Sequence, residues 1–242
     1  KQLKGAMVYP ATVCTIAIAC IVLLLVKVIP VFEQMFADFG GTLPAPTQAV
    51  INLSKWMQSY ILYLIVAVVG AFTAFGRARH QSANFRFRTD ALALQLPVFG
   101  NIIKKVAVAR FTRTLGTMIS SGVPILDGLD IVARTAGNMV IEAELQMTRK
   151  SISEGKTIAE PLQGSKIFPG MMVQMVSVGE ETGSMEAMLN KIADFYDDEV
   201  DSAVAALTAM LEPLMMVFMG GSIGTILIAM YLPIFTIADT IG

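Results

Sequence analysis

The chain has 242 residues, 55% of them hydrophobic and 15% charged, with a mean hydropathy of +0.64. That balance lies outside the range of ordinary soluble domains and inside the membrane class. The 18 basic and 19 acidic residues leave a formal charge of −1, which calls for no nucleic-acid partner.

Three windows without a charged residue, 5–26, 56–76 and 213–238, each offer the ~20 residues a helix needs to cross a bilayer core. One such window can be a buried soluble helix; three in one chain read as spans. The expected fold class is an all-α integral membrane protein with three transmembrane helices and a helical-bundle domain between spans two and three. Its segments are a first span over 1–30, a short helical connection over 31–55, a second span over 56–76, the bundle over 77–211, a third span over 212–238 and a tail over 239–242.

Orientation follows from the bases. After the second span come Arg77, Arg79, Arg86, Arg88, Lys104, Lys105, Arg110 and Arg113 against the single acid Asp90, whereas 30–55 holds one base, Lys55. The positive-inside rule puts 77–211 in the cytoplasm and the connection and tail outside. Lys1 and Lys4 agree with that assignment. The first window is too long for a signal peptide and lacks its small-residue ending, and the chain starts with Lys, so a longer protein with a missing N-terminal part is expected.

In chain order, Cys14 and Cys20 stand six apart on the first span, point to different faces and are read as packing residues. Lys27 can snorkel to the outer surface. Val31, Phe32, Met35, Phe36 and Phe39 recur at helical spacing before Gly40 and Gly41, which are expected to stop the helix. Leu43-Pro44-Ala45-Pro46 turns the chain, and Thr47 is a candidate cap for the helix that enters the second span. Trp56, Tyr60 and Tyr63 fit an interfacial aromatic belt.

Beyond the second span, His80 is read as a solvated loop residue. Asn101 is a candidate cap for a helix ending at Ser121-Gly122, Pro124 opens the next, which closes near Gly137, and Asn138 caps a third. Thr157-Ile158-Ala159-Glu160 has the spacing of a capping box. Phe168-Pro169 starts a helix that ends at Thr182-Gly183, and Ser184 can cap the last one. That helix carries Asp194, Asp197, Asp198, Glu199 and Asp201, has no strong stop, and is expected to run into the third span, with Glu212 at the membrane surface and Pro213 as a hinge or fresh start.

Catalytic chemistry is absent from the pattern. The chain has one histidine and no phosphate-binding loop, HExxH or CxxC spacing, so no catalytic residue, cofactor or metal is expected. The plain reading of Glu180-Glu181 is a solvated helix end before a glycine stop; the functional one is a contact surface or ion site. Gly220 and Gly224 form a small-xxx-small pair that lets another helix approach closely. Met171-Met172 and Met215-Met216 are read as packing.

Together these stretches resemble a known family. Gln2-Leu3-Lys4-Gly5-Ala6-Met7-Val8-Tyr9-Pro10 followed by Val28-Ile29-Pro30, then Arg110-Phe111-Thr112-Arg113-Thr114-Leu115 through Ser121-Gly122-Val123-Pro124, then Gly179-Glu180-Glu181-Thr182-Gly183 and Glu212-Pro213, are similar to the landmarks of the bacterial type II secretion F-protein family. That family includes the inner-membrane platform proteins of type IV pili. The resemblance implies two related cytoplasmic helical domains, of which only the second is present, in a multi-pass protein of the inner membrane with a periplasmic connection.

It further implies a non-enzymatic platform that couples a hexameric cytoplasmic assembly ATPase to polymerisation of pilin or pseudopilin subunits, alongside other inner-membrane assembly proteins, membrane lipid and further copies of itself. Arg110, Arg113, Glu180 and Glu181 are the candidate partner contacts, Gly220 and Gly224 the candidate packing residues, and Glu212 and Pro213 the candidate hinge. The pattern does not separate the pilus branch from the secretion branch. A transporter or channel would need charge at the membrane midplane, and an intramembrane peptidase would need paired aspartates in the spans; neither is present.

Overall fold

The computed structural model describes residues 8–38 and 43–241, with side chains for all of these but 37, 38 and 236–241. Among them the regular structure is helical: α1 (Val8–Leu23), a π-helical turn (Leu24–Val28), α2 (Ile29–Asp38), α3 (Ala45–Gln81), α4 (Ala83–Gln95), α5 (Phe99–Ser120), α6 (Ile125–Thr135), α7 (Met139–Ser153), α8 (Ala159–Leu162), α9 (Gly170–Glu181) and α10 (Met185–Ile241). Three stretches are long and apolar enough to cross a membrane: Val8–Phe36, Ala45–Gln81 and Met185–Phe235. The chain divides into two compact units, one running to Phe75 and resuming at Ala206, the other covering Gly76–Ala205.

The first unit joins α1, α2 and parts of α3 and α10 around a small core of Leu25, Ile29, Val50, Ile51, Ile226 and Ala229. Many other large apolar side chains stay exposed, among them Leu62, Phe72, Leu214 and Val217, as lipid-facing residues do. Polar contacts also join the helices. The Thr47 hydroxyl donates to the Ala229 carbonyl at 2.6 Å, Ser54 donates to the Leu25 carbonyl, and Lys55 pairs with Glu33 at 2.6 Å.

The Ser54 bond has a local cause. In the π-helical turn the Ile29 amide donates to Leu24, five residues back, so the Leu25 carbonyl loses its usual α-helical donor. The residue after Ile29 is Pro30, which has no N–H to offer. Leu25 is left with an orphan carbonyl, and Ser54 on α3 supplies the proton.

Thr47 does not cap α3. The helix already begins at Ala45, and Thr47 lies within its first turn, buried, with its hydroxyl taken by α10. Gly40 and Gly41, expected to stop the preceding helix, lie outside the described residues. Trp56, Tyr60 and Tyr63 form a ladder of ring contacts, with centroids 5.7 and 6.4 Å apart.

The second unit packs α4 to α9 and the start of α10 around Val108, Phe111, Leu115, Leu129, Leu145, Met172 and their neighbours. Here glycines and caps fall where the sequence puts them. Gly122, Gly137 and Gly183 have φ of 78°, 77° and 68°, and Asn138 accepts from the Val140 and Ile141 amides. Two expected caps differ. Asn101 sits inside α5, which starts at Phe99, and the Thr157 capping box does not form: Ile158 holds the N-cap position of α8, and Glu160 pairs with Lys156 at 3.0 Å.

The last helix is continuous from Met185 through both Pro213 and Pro233, so Pro213 does not begin a new helix. His80 lies in the last turn of α3, not in a loop. The α4–α5 pair also has the length and apolarity of a span, bent by 105° at its junction, but the apolar face of α5 is buried in the bundle core.

The junction itself depends on Gly100, whose amide donates to Leu96 at 2.8 Å. A Cβ at this position would lie 2.3 Å from the Leu94 carbonyl oxygen, a clash with backbone that no rotamer relieves. Gly100→Ala is expected to destabilise the protein by about 2 kcal/mol, as overpacking does. Thermal unfolding in detergent measures this against Gly70→Ala, where an added Cβ meets nothing within 4 Å and the melting temperature should not fall.

Candidate functional site

In the second unit Asp90, the lone acid of a basic stretch, makes several contacts at once. Its side chain is 3% exposed. Oδ1 accepts from the Arg79 guanidinium at 2.5 Å, and Oδ2 accepts from the Met139 amide at 2.9 Å, at the start of α7. The Asn138 side chain donates to the Asp90 carbonyl at 3.3 Å. One carboxylate thus joins the end of α3, α4 and the N-terminus of α7, where the helix dipole also favours a negative charge. Sequence reading used Asp90 only in the charge count; its isolation among bases was the available signal.

A second system links α5 to α10. Lys105 meets Glu199 at 2.6 Å, and Arg113 meets Asp194 and Asp197 at 2.6 and 2.8 Å. The hydrogen bond to Asp197, then that to Asp194, raise the Arg113 pKa above its ordinary value, against a smaller opposing effect of burial. The Arg113 pairs are solvated and the Lys105 pair is partly so, so each contributes about 1 kcal/mol or less and their main effect is register between the two helices.

The candidate contacts therefore separate into two kinds. Arg113 is engaged by the acids of α10, while Arg110 is exposed on α5, beside a shallow groove that includes Thr114 and Thr135. On α9, Glu180 is half-buried, and both its oxygens accept from the Ile158 amide at 2.9 Å. It satisfies from a distant helix the amide of the residue at the N-cap of α8. Glu181 is exposed and accepts from Ser177 at 3.2 Å.

The flanking glycines have separate reasons. An added Cβ on Gly179 would lie 3.1 Å from the Met188 side chain, so glycine lets α9 and α10 approach, and Gly183 provides the positive φ of the turn between them. In the membrane part of α10, Glu212 and Pro213 are exposed, and an added Cβ on Gly220 or Gly224 would meet nothing within 4 Å. That glycine edge is unoccupied by the chain's own described residues.

The profile of the family described as Type II secretion system (T2SS), protein F, matches residues 111–233. The chain belongs to that family.

Over its whole length it is 55% identical to the type IV pilus assembly protein PilC of Myxococcus xanthus (strain DK1622) and 40% identical to PilC of Pseudomonas aeruginosa (strain PAO1). It is 29% identical over its whole length to the type II secretion system protein F of the same Pseudomonas strain. The chain spans 58%, 64% and 60% of these relatives' lengths respectively. The stretch common to the T2SS protein F family includes Arg113, Glu180, Glu181, Glu212 and Gly220, whereas Asp90 and Arg79 lie before it.

Removing the Glu180 acceptor exposes its role. Glu180→Ala leaves the Ile158 amide without its partner and is expected to cost about 1–3 kcal/mol, with faster hydrogen exchange at Ile158. Glu180→Gln, which keeps an acceptor, should lose less, and Glu181→Ala should leave the melting temperature within error of the parent.

Proposed function

We propose that the chain is the core of a non-enzymatic inner-membrane platform, and that it serves a type IV pilus machine in preference to a type II secretion one. The observation that carries this reading is the contrast in similarity: 55% and 40% identity to two pilus assembly proteins against 29% to a secretion protein F, each over the full chain. Membership of the T2SS protein F family and three apolar helices support a membrane-embedded assembly role.

In this reading residues 77–211 form the cytoplasmic domain, the connection at 31–55 and the tail at 239–242 are periplasmic, and a hexameric assembly ATPase docks on the cytoplasmic side. Pilin subunits and other inner-membrane assembly proteins meet the platform within the bilayer. Exposed Glu181 and Arg110 are the residues best placed to face a partner, because Glu180 and Arg113 are already held within the fold. Copies of the chain associate along Gly220 and Gly224, whose open edge suits close helix approach. Pro213, lacking an amide proton within a continuous helix, is where α10 yields most easily if the domain moves during assembly.

The test is binding and stimulation of the organism's own assembly ATPase by the chain in lipid nanodiscs. The expected result is saturable binding with a changed hydrolysis rate, weakened about tenfold by Glu181→Lys or Arg110→Glu without a change in melting temperature. Wild-type protein that neither binds the ATPase nor alters its rate would sink the coupling reading for this chain.

A further inference from the structure

α3 does not stop where its apolar run ends. After Gly76 it continues through Arg77, Ala78, Arg79, His80 and Gln81, and the chain then turns at Ser82 into α4, whose sequence opens Ala83-Asn84-Phe85-Arg86-Phe87-Arg88. Between these two segments lies an open cleft of about 600 Å³, lined by Arg79, His80, Gln81 and Arg86 with Gly76 at its edge.

The charges around it do not cancel. Asp90 accepts from Arg79 at 2.5 Å, but Arg86 stands 4.0 Å from the same carboxylate, whose second oxygen already accepts from the Met139 amide. Two guanidiniums and one carboxylate leave one positive charge over, and exposed Arg77 and Arg88 add to the field from either side. Because α3 is one helix, Arg79 follows the end of the apolar run by only about 4.5 Å along the axis. That is headgroup depth. Phe85 and Phe87, 36% and 43% exposed, flank Arg86 with the aromatic character of an interfacial segment.

We propose that this cleft is a binding site for the phosphodiester of an anionic phospholipid. Arg79 and Arg86 hold the phosphate oxygens, and Asp90 fixes Arg79 in place. A single phosphodiester carries the one negative charge that the cleft lacks, and a zwitterionic lipid adds a cation that the arginines repel. The proposal needs only that the chain spans a bilayer and is independent of the pilus reading.

Native mass spectrometry of the full chain in a neutral detergent tests it, with phosphatidylglycerol, phosphatidylcholine of the same acyl chains and inorganic phosphate as probes. The wild-type chain should retain phosphatidylglycerol at least fivefold more tightly than phosphatidylcholine. Arg86→Gln should lower that preference about fivefold, the scale of one basic residue at a membrane surface, while Arg134→Gln, whose partner is Asp130, should leave it unchanged. Arg86 is the variant of choice because its contact with Asp90 is long; an unchanged melting temperature verifies the fold. Equal retention of the two lipids by the wild-type chain overturns the proposal, as does an Arg86→Gln variant with full preference. Displacement of phosphatidylglycerol by millimolar inorganic phosphate would assign the cleft to a soluble anion instead and also overturn it.

Discussion

A peptide group in hydrocarbon has no water to bond, so every N–H and C=O there must find its partner within the protein. In this chain that constraint produces long helices, and where the π-helical turn strips the Leu25 carbonyl of its donor the Ser54 hydroxyl replaces it. The spans are not cut off where the apolar residues end: α3 carries on to Gln81, and α10 begins at Met185, well before its charge-free stretch. A helix already ordered by the membrane can therefore give its polar extension to the second unit without a separate nucleation step, which is the unfavourable part of making a helix. Arg79 on one such extension and Asp194, Asp197 and Glu199 on the other are the residues through which these extensions join α4 and α5.

The two units solve the burial problem differently. The Gly76–Ala205 unit has a core that excludes water, with Leu129, Leu145, Leu162, Met172 and Ile192 showing no exposure to solvent. The other unit buries few side chains and leaves its largest apolar residues outward, so helix contact there rests on close packing and a handful of hydrogen bonds, not on a hydrophobic driving force. Thr47 and Ser54, both buried on α3, matter more in such a setting than their size implies, because each donates to a backbone carbonyl of another helix segment.

What the sequence disclosed followed how local each determinant is. Hydropathy and charge are carried by neighbouring residues, so the three apolar stretches and the all-helical class were legible, as were the ends marked by Gly122, Gly137 and Gly183 and the cap at Asn138. The errors share one cause. Thr47, Asn101 and Thr157 have side chains suited to capping, but which one acts as a cap is decided elsewhere: Thr47 is taken by Ala229, α5 starts ahead of Asn101, and Glu180 reaches the Ile158 amide from a different helix. The same distance effect hid half of the candidate site. Nothing local distinguishes solvent-facing Glu181 from Glu180, or Arg110 from Arg113, since the partners that engage Glu180 and Arg113 lie 22, 81 and 84 residues away in the chain.

The π-helical turn at Leu24–Val28 ties Pro30 and Ser54 into one inherited unit. Proline deprives the Leu25 carbonyl of a donor, and the serine replaces it across the helix pair. Each residue is tolerable because of the other: alanine at 54 strands a buried carbonyl only while the proline remains, and a residue with an amide proton at 30 makes the hydroxyl dispensable. Substitutions at these two positions should therefore not accumulate independently among descendants of this chain, although neither position carries a charge.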